Sequence, residues 1–456
     1  MRFKLLLCVL LAALSVNAAP VVEDASKSVA PGDSIQITRK HSWLAGLEIV
    51  AFNGALFGYN KIFHSDLDWT KVTFKDIKRN LSHSYWVWDR DDLEVNSLRH
   101  PLHGSIYYLI ARANGMNIWE SSLYSLGGSW MWEMFFEAEK PSINDMVYTI
   151  LGGITIGEVA WRTGKSWLGI VSKKHRILAP TVPFSTSLTI GYRHLKSRDH
   201  QGVNTAIATL DVSYGDLFDS EHTGPFDYFE ASGTLVIGQS QKFINKANID
   251  HQIVSRSITD KPNQKVVWGL YNHFDYYYAS PLRKLNDDQS PLSISYSEVG
   301  AIGPGIAYRV GHNVSWEQQA YINGIIMGAT SLHTFHNLGM HDYSFGSGYG
   351  ARLYSKLAVG NWLKLGIRAQ FSHLFTWDGF YEDNGWKKPS VPSIQGETGN
   401  SVTTILEPSL EIKPIKNFAL LCNGRYMHTH NNYTYHPHGS ISAWEWQVGV
   451  RYGLEL

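Results

Sequence analysis

The sequence WEWQVGVRYGLEL, residues 444–456, alternates strictly between two kinds of side chain. The first set is aromatic or aliphatic: Trp444, Trp446, Val448, Val450, Tyr452, Leu454 and Leu456. The second set is polar or small: Glu445, Gln447, Gly449, Arg451, Gly453 and Glu455. Because successive side chains of a strand point to opposite faces, this stretch predicts a strand with one apolar and one polar face. A strand of a membrane barrel has this pattern, with one face toward lipid and the other toward a polar lumen.

The same period of two recurs from Phe184 onward. Comparable runs lie near 184–192, 203–214, 226–238, 247–258, 264–279, 292–310, 315–328, 345–358, 363–371, 402–413 and 417–428. Together they predict an antiparallel outer-membrane-type β-barrel of about twelve strands over 181–456, an even number as single-chain bacterial barrels have. A soluble β-sandwich also alternates, but it does not usually end on an unprotected strand with so many outward aromatic residues. Leu456 is the one feature of this segment that argues against a barrel, where an aromatic terminal residue is expected.

The N-terminal segment has the three-part layout of a secretory signal. Arg2 and Lys4 precede an apolar run from Leu5 to Leu14, and small residues follow before Ala19. We therefore expect a signal peptide over residues 1–18. The next segment, 19–40, is rich in Ser, Asp, Lys and Pro without periodicity, and this composition predicts a flexible lead.

The composition excludes several classes of protein. Forty basic residues balance forty acidic residues, so no global charge favours nucleic acid or an anionic surface. No run of about 20 apolar residues follows the predicted signal, so an ordinary transmembrane helix is not expected. Cys8 lies in the predicted signal, which leaves Cys422 as the single mature cysteine and excludes an internal disulfide or a four-cysteine zinc site.

Residues 41–180 have helical spacing instead, which predicts a small helical bundle ahead of the barrel. The first segment, Ser42–Tyr59, carries Gly46, Gly54 and Gly58 at a spacing that suits either a helix packed closely on a neighbour or a loop weakened by glycine.

A second helix is expected to begin at Pro101, because proline is tolerated in the first turn of a helix. Its Arg112 lies on the same face as Tyr108, one turn away. His100 and His103 flank Pro101 and have three interpretations: a metal site, acid–base chemistry, or hydrogen bonding to neighbours. A pair of histidines without a third ligand favours the last of these.

The next predicted helix runs from about Trp119 to Ala138 and carries Glu133 and Glu137 at a four-residue interval among aromatic residues. Two carboxylates in such a setting need a cationic or protonated partner. The nearest candidates in the sequence are Arg112, His100 and His103. A carboxylate buried beside aromatic residues also has the raised pKa of a general acid. A structural Glu–Arg–His network and a catalytic pair both remain open.

A further helix is predicted after Ser142, which is a suitable N-cap with Asp145 three residues later. Glu158 and Arg162 are spaced for an i,i+4 ion pair. Arg112, Asp145, Glu158 and Arg162 are thus the expected members of a structural polar network. The small residues Thr149, Gly153 and Gly157 recur every four positions and would allow close approach of two backbones.

The helical stretch resembles a known family. The residues that carry the resemblance are His100-Pro101-x-x-Gly104, Tyr107-Tyr108, Ala111-Arg112-x-x-Gly115, Trp119-Glu120-Ser121, Gly128-Ser129-x-x-Trp132-Glu133, Glu137, Pro141-Ser142-x-Asn144-Asp145, Gly152-Gly153 and Gly157-Glu158. In this pattern residues 89–162 resemble the bacterial domain-of-unknown-function family 3943. The resemblance implies a bacterial envelope setting and no particular chemistry.

A second cluster of histidines lies near the C-terminus, in MHTHNNYTYHPHG. It contains His428, His430, His436 and His438, which suit either a transition-metal site or a polar barrel loop. No phosphate-binding glycine loop, zinc-protease motif or Gly-x-Ser-x-Gly elbow is present, so no cofactor is expected.

Two classes of function follow from these patterns. In the first, a barrel of the Gram-negative outer membrane carries a helical domain that plugs, gates or braces it. In the second, the helical domain is an envelope lipid- or glycan-modifying enzyme that uses a Glu/His acid–base pair from Glu133 or Glu137 and His100 or His103. The expected partners are outer-membrane lipid, the barrel-assembly machinery and a small-molecule or lipid ligand, with no nucleic acid.

Overall fold

The computed structural model describes residues 40–82, 86–88, 91, 93–171, 180–197, 200–237, 244–279, 294–331, 343–377, 398–434 and 437–455. The predicted signal, residues 19–39 of the predicted lead, and His436 lie outside the described residues. The chain divides into two compact units. The helical unit comprises Met1–Asp89 and Arg99–Ala179, and the barrel unit comprises Arg90–Leu98 and Pro180–Leu456.

The described part of the helical unit contains six α-helices. They are α1 (Ser42–Phe63), α2 (Phe74–Asn80), α3 (His100–Ala113), α4 (Ile118–Phe135), α5 (Ile143–Val147) and α6 (Gly153–Val171). A 3₁₀ turn covers Asp68–Thr70, and π-helical turns cover Val95–Arg99 and Tyr148–Gly152. Within the described ranges, no helix has the length and apolarity needed to span a membrane.

Side-chain caps fix the starts of three of these helices. Thr73 and Asp76 form a reciprocal capping box at α2, and Asn117 and Glu120 form one at α4. The predicted cap of α5 is present, because the Asp145 N–H donates to Ser142 Oγ at 3.2 Å. Each cap satisfies a backbone N–H that the helix itself leaves without a partner.

The predicted end of α4 at Ala138 is wrong, since the helix stops at Phe135. The buried side-chain amide of Asn80 donates to the carbonyl oxygens of Glu133, Glu137 and Glu139 at 3.0–3.2 Å. These bonds satisfy carbonyls at the end of the helix and in the following turn. Glu137 therefore lies beyond α4, and the predicted one-turn spacing of Glu133 and Glu137 on a helix does not exist.

The small residues predicted to allow close packing do so between α3 and α6. A Cβ added at Gly104 would lie 1.8 Å from the carbonyl oxygen of Thr149, and one at Gly153 would lie 2.6 Å from the Gly104 backbone. By contrast, an added Cβ at Gly46, Gly54 or Gly58 would meet nothing within 4 Å. The segment is a helix, but its glycines face open space, so the expectation of close packing along them is wrong.

The barrel unit confirms the predicted architecture: twelve antiparallel strands close into a barrel. The strands are β1 (Phe184–Ser197), β2 (His200–Tyr214), β3 (Phe229–Ile237), β4 (Ile244–Lys261), β5 (Gln264–Ala279), β6 (Ile294–Gly311), β7 (Val314–Ser331), β8 (Tyr343–Val359), β9 (Leu363–Thr376), β10 (Gly399–Ile415), β11 (Phe418–Tyr433) and β12 (Gly439–Glu455). Each strand pairs with its sequence neighbour, and β1 closes the barrel against β12.

The closing pair shows how the alternating sequence produces an inside and an outside. Ile190 faces Val450 and Tyr192 faces Val448 across β1 and β12. These outward side chains are 63%, 49%, 47% and 51% exposed, whereas Glu445, on the other face of β12, is 3% exposed. Apolar side chains are therefore outward over a continuous band, as a surface in contact with lipid requires.

The two ends of the barrel differ in the lengths of their connections. At one end four of the five connections are the short turns 262–263, 312–313, 360–362 and 416–417, and the fifth is the longer connection 215–228. At the other end the strand bounds leave the long connections 280–293, 332–342 and 377–398 beside the shorter connections 198–199, 238–243 and 434–438. Phe184 enters β1 at the short-turn end. Barrels of the bacterial outer membrane have this asymmetry, with short turns on the periplasmic side.

Candidate functional site

The lumen of the barrel is crossed by ion pairs between strands that are not neighbours. The Nζ of Lys246 on β4 lies 2.9 Å from Oε1 of Glu407 on β10. The same carboxylate accepts from Nε of Arg425 on β11 at 2.7 Å. Because β4 and β10 lie far apart in the strand order, this bridge joins opposite walls.

A second bridge joins β1, β5 and β12. The Nε of Arg193 lies 2.9 Å from Oε2 of Glu445, and the hydroxyl of Tyr277 donates to the same oxygen at 2.6 Å. The guanidinium of Arg425 stacks on the Tyr277 ring, with its central carbon 4.1 Å from the centroid. The Arg193 and Glu445 side chains are each 3% exposed, so this ion pair is held out of water.

A third set of bridges centres on Arg352 and Arg368. Nη2 of Arg352 on β8 lies 2.5 Å from Oδ2 of Asp275 on β5 and also contacts the Glu298 carboxylate on β6. Nη2 of Arg368 on β9 lies 3.1 Å from Oε2 of Glu230 on β3. The Arg368 and Glu230 side chains are 37% and 42% exposed, so water reaches this side of the network. A buried charge is tolerated only when paired in this way.

Apolar layers lie against this charged layer. Toward the end with long connections, a cluster of inward residues fills the lumen: Leu195, Tyr277, Ala279, Ile294, Tyr296, Ile405, Met427 and Ala443. Toward the short-turn end, Leu217 and Phe218 from the connection between β2 and β3 pack on Tyr271, Ala307 and Tyr321 of the wall. The connection between β2 and β3 thus contributes to the packed interior of the barrel.

A small void remains within the charged layer. It measures about 10 Å³ and is lined by Asn248, Asp275, Arg352, Tyr354, Arg368, Gln370, Ile405 and Glu407. This volume is about the minimum that holds one water molecule. The void itself is therefore too small for a larger solute.

The polar core of the helical unit centres on Glu158 of α6, whose side chain is fully buried. Its carboxylate accepts from the Tyr108 hydroxyl at 2.9 Å and contacts Nε of Arg112 and Nε of Arg162, each at 2.9 Å. Tyr108 and Arg112 belong to α3, so this cluster joins α3 to α6. Burial, together with the charge of Glu158, raises the pKa of Tyr108. The sequence-predicted residues Arg112, Glu158 and Arg162 thus meet at one place.

His103 lies in an aromatic pocket of its own. Its Nε2 lies 2.8 Å from the Tyr107 hydroxyl, and its ring lies 5.2 Å from the Trp132 ring between centroids. The Tyr107 hydroxyl donates to Oδ1 of Asn53 at 2.5 Å, which links α1 to α3. Burial, with a smaller effect of His100, lowers the pKa of His103 to about 3. His103 is therefore neutral at physiological pH and supplies no counter-charge to a carboxylate.

His100 lies apart from that pocket and contacts α5 and the turn after it. Its Nε2 lies 3.5 Å from Oδ1 of Asp145, and its Nδ1 lies 3.3 Å from Oγ1 of Thr149. Glu133 is 2% exposed, and its Oε2 accepts from the Ser142 N–H at 2.9 Å. Of the three candidate partners for Glu133 and Glu137, Arg112 pairs with Glu158.

The C-terminal histidines make separate hydrogen bonds. His428 Nδ1 lies 2.9 Å from Ser442 Oγ, His430 Nε2 lies 2.8 Å from Asn432 Oδ1, and His438 Nδ1 accepts from the Tyr433 N–H at 3.3 Å. Over the part of the chain that the structure describes, no three His, Cys, Asp or Glu side chains are grouped as a metal site would need.

The sequence alone does not predict several of the interactions in the two units. The charged residues of the lumen occupy the polar positions of the alternating strands, so the alternation predicts that they point inward. It does not predict which residues they contact across the lumen. Asn53 and Asn80, both fully buried, bind across helices and carry no signal in the local sequence. Their roles follow only from tertiary packing.

A closed antiparallel barrel with an apolar outer band and a charged, paired lumen defines a membrane β-barrel. The N-terminal part of the chain also matches a family model. Residues 85–181 match the family described as "Domain of unknown function (DUF3943)", which confirms the resemblance seen over residues 89–162. No curated protein matches the chain.

Solved structures similar to the chain include several outer-membrane barrels. OmpT of Vibrio cholerae is 8% identical, with 59% of this chain and 96% of that chain covered and a TM-score of 0.25. The NanC porin is 8% identical, with 57% and 98% covered and a TM-score of 0.26. The CymD monoaromatic hydrocarbon channel is 9% identical, with 68% and 97% covered and a TM-score of 0.26. At these values the likeness carries no argument about transport or binding.

Proposed function

We propose that this protein is a sealed barrel of the Gram-negative outer membrane that anchors and braces the helical unit, and is not an open passage for solutes. The observation that carries the proposal is the set of side-chain bridges between non-adjacent strands across the lumen, with an apolar layer on each side. These bridges join Lys246 to Glu407, Tyr277 to Glu445 and Arg352 to Asp275. Side chains in contact at hydrogen-bonding distance obstruct the aqueous path at that level, and this supports the proposal.

The outer-membrane location rests on three features. The outward band is apolar, the strands are joined by short turns at one end and longer connections at the other, and residues 1–18 have the layout of a secretory signal. Outer-membrane lipid and the barrel-assembly machinery are the partners that such a protein requires. A small-molecule or lipid ligand remains a further hypothesis.

Bracing is favoured over plugging by the short segment Arg90–Leu98 of the barrel unit. Ser97 Oγ lies 2.7 Å from Ser297 Oγ on β6, and both residues are buried. Ser297 lies between Tyr296 and Glu298, which face the lumen, so it is on the outward face of the strand. The segment that continues into the helical unit at Arg99 is therefore attached to the outer wall, while wall side chains fill the lumen.

An engineered disulfide tests this attachment. In a Cys422→Ser background, Ser97→Cys with Ser297→Cys places two sulfurs where the hydroxyls now touch, and we expect a disulfide to form in the membrane-inserted protein. The matched control is Ser97→Cys with Ser315→Cys, at the far end of the neighbouring strand β7, which should stay reduced. Equal cross-linking of the two pairs, or none of the first, contradicts bracing by this segment.

The enzymatic alternative stays a hypothesis with its own test. Glu133→Gln keeps the hydrogen-bonding shape at Ser142, so the variant should fold. Loss of turnover of an envelope lipid or glycan in a correctly folded Glu133→Gln variant would favour acid–base chemistry by Glu133 with His100 or His103. Unchanged envelope composition in cells with this variant would favour the structural role.

A further inference from the structure

The helical unit exposes two apolar stripes at helical spacing. On α1 the stripe is Trp43, Leu47 and Val50, which are 73%, 56% and 47% exposed. On α4 it is Trp119, Leu123, Leu126 and Trp130, with 67%, 67%, 42% and 42% exposed. Positions separated by three and four residues lie on one face of a helix. Single exposed apolar residues are common on protein surfaces, but two regular stripes need an explanation.

The two stripes belong to helices that lie side by side with their N-terminal ends together. The Asn53 amide of α1 donates to the Gly128 carbonyl of α4 at 3.3 Å. Nearer the N-termini, the Tyr124 hydroxyl donates to the Ser42 carbonyl at 2.8 Å. Just ahead of both helices, Nζ of Lys40 lies 2.6 Å from Oε1 of Glu120. Each stripe therefore begins with a tryptophan at the same end of the helix pair. Tryptophan is the side chain most enriched where lipid meets water.

Exposed apolar residues also lie beside cations at the end of α1 and at the start of α2. Ile62 and Phe63, the last two residues of α1, are 72% and 59% exposed and follow the exposed Lys61. Phe74, at the start of α2, is 89% exposed, and the next residue, Lys75, is exposed as well. Large apolar side chains next to lysines complement a bilayer surface, where acyl chains lie beneath anionic headgroups.

We propose that the apolar stripes of α1 and α4, together with the start of α2, form a face that docks on a phospholipid bilayer containing anionic headgroups. The chain connects the helical unit covalently to the barrel unit on either side of Arg90–Leu98 and again at Pro180. A helical unit tethered to a barrel in a bilayer meets lipid at a high effective concentration. The proposal is independent of the sealed lumen, because it concerns the outer surface of the helical unit alone.

The experiment uses the full chain, in a Cys422→Ser background, reconstituted in phosphatidylcholine vesicles with or without phosphatidylglycerol. A fluorescent probe is attached at Leu47→Cys or at Leu123→Cys, and its quenching by lipids with brominated acyl chains is measured. Val448→Cys, in the outward band of β12, is the lipid-facing control. Asn263→Cys, in a short turn of the barrel, is the water-facing control.

Docking predicts that both helix probes are quenched by brominated lipid as strongly as the Val448 probe, and more strongly when phosphatidylglycerol is present. Probes quenched only by aqueous iodide, like the Asn263 probe, would overturn the proposal. Self-quenching between labelled copies without lipid quenching would also overturn it, and would assign the face to a second copy of the chain.

A second pair of variants protects the test against a labelling artefact. With the probe at Leu47→Cys, Leu123→Glu should lower lipid quenching by about tenfold, because a charge on the face opposes burial in lipid. Lys75→Gln together with Lys61→Gln should remove the effect of phosphatidylglycerol while leaving the quenching in phosphatidylcholine. Quenching unchanged by Leu123→Glu would contradict docking through this face.

Discussion

Replacing Glu158 by glutamine is expected to loosen the junction of α3 and α6 more than any other single change of charge in the helical unit. The carboxylate is fully buried and neutralises both Arg112 and Arg162, while the Tyr108 hydroxyl donates to it. Glutamine keeps the shape but removes the negative charge that lies between the two guanidiniums. Removing one partner of a buried ion pair costs about 3–5 kcal/mol.

The low end of that range applies here, because the Arg112 and Arg162 side chains are 17% and 18% exposed and retain some water. A loss of about 3 kcal/mol corresponds to about two powers of ten in the local opening equilibrium. The assay is amide hydrogen exchange in α6 of the full-length protein in detergent micelles, since exchange of protected amides reports that equilibrium.

Glu120→Gln is the matched control for this experiment. Glu120 also pairs with a cation, Lys40, but at the surface, and glutamine can still complete the capping box at Asn117. Its exchange in α6 should equal that of the wild type. If Glu158→Gln also left the exchange of α6 within a few-fold of the wild type, the assigned role of the buried carboxylate would be refuted.

Three further predictions follow from the same structure. Val448→Arg should cost about 2–4 kcal/mol in refolding stability if it lies near the bilayer midplane, whereas Gln447→Arg on the polar face should cost much less; equal losses would invert the assignment of inside and outside. His103 has a pKa of about 3 in the folded protein against an ordinary value of 6.5, so between these pH values it takes up a proton on unfolding. Its contribution to stability is complete above pH 6.5 and is lost as pH falls toward 3, by about 1.4 kcal/mol per pH unit. His103→Gln should therefore flatten the pH dependence of urea-unfolding midpoints over that range. Gly104→Ala should prevent normal packing of α3, because its Cβ would lie 1.8 Å from the Thr149 carbonyl oxygen; proteolysis of the helical unit as slow as in the wild type would contradict this.

The barrel could be predicted because its signal is repeated in every strand. Each strand alternates between apolar and polar residues, as Val448 and Gln447 illustrate. A period of two that recurs over so many segments indicates β-strands. The ion pairs across the lumen could not be predicted, because the partner of Lys246 is Glu407, six strands along the wall by sequence order. Such a pairing depends on closure and register, which no local pattern encodes.

In the helical unit, local sequence predicts where some helices begin but not which distant residues they contact. The helix starts at Ser142 and near Pro101 were predictable from capping and proline geometry. The end of α4 was not, because it depends on the side chain of Asn80, which is distant in sequence. The partner of Arg112 was not predictable for a similar reason. Glu133 is nearer in sequence, but packing of α3 on α6 brings Glu158 to Arg112.

The conductance of the purified full-length protein in a planar lipid bilayer tests the central claim, a lumen sealed by its own side chains, most directly. The contacts of Tyr277 with Glu445, of Lys246 with Glu407 and of Arg352 with Asp275 predict that inserted protein adds no steady open-channel current at neutral pH. Insertion is verified independently by the fluorescence of outward tryptophans. Stable, stepwise open-channel currents from correctly folded wild-type protein would contradict the sealed lumen and the anchoring role built on it.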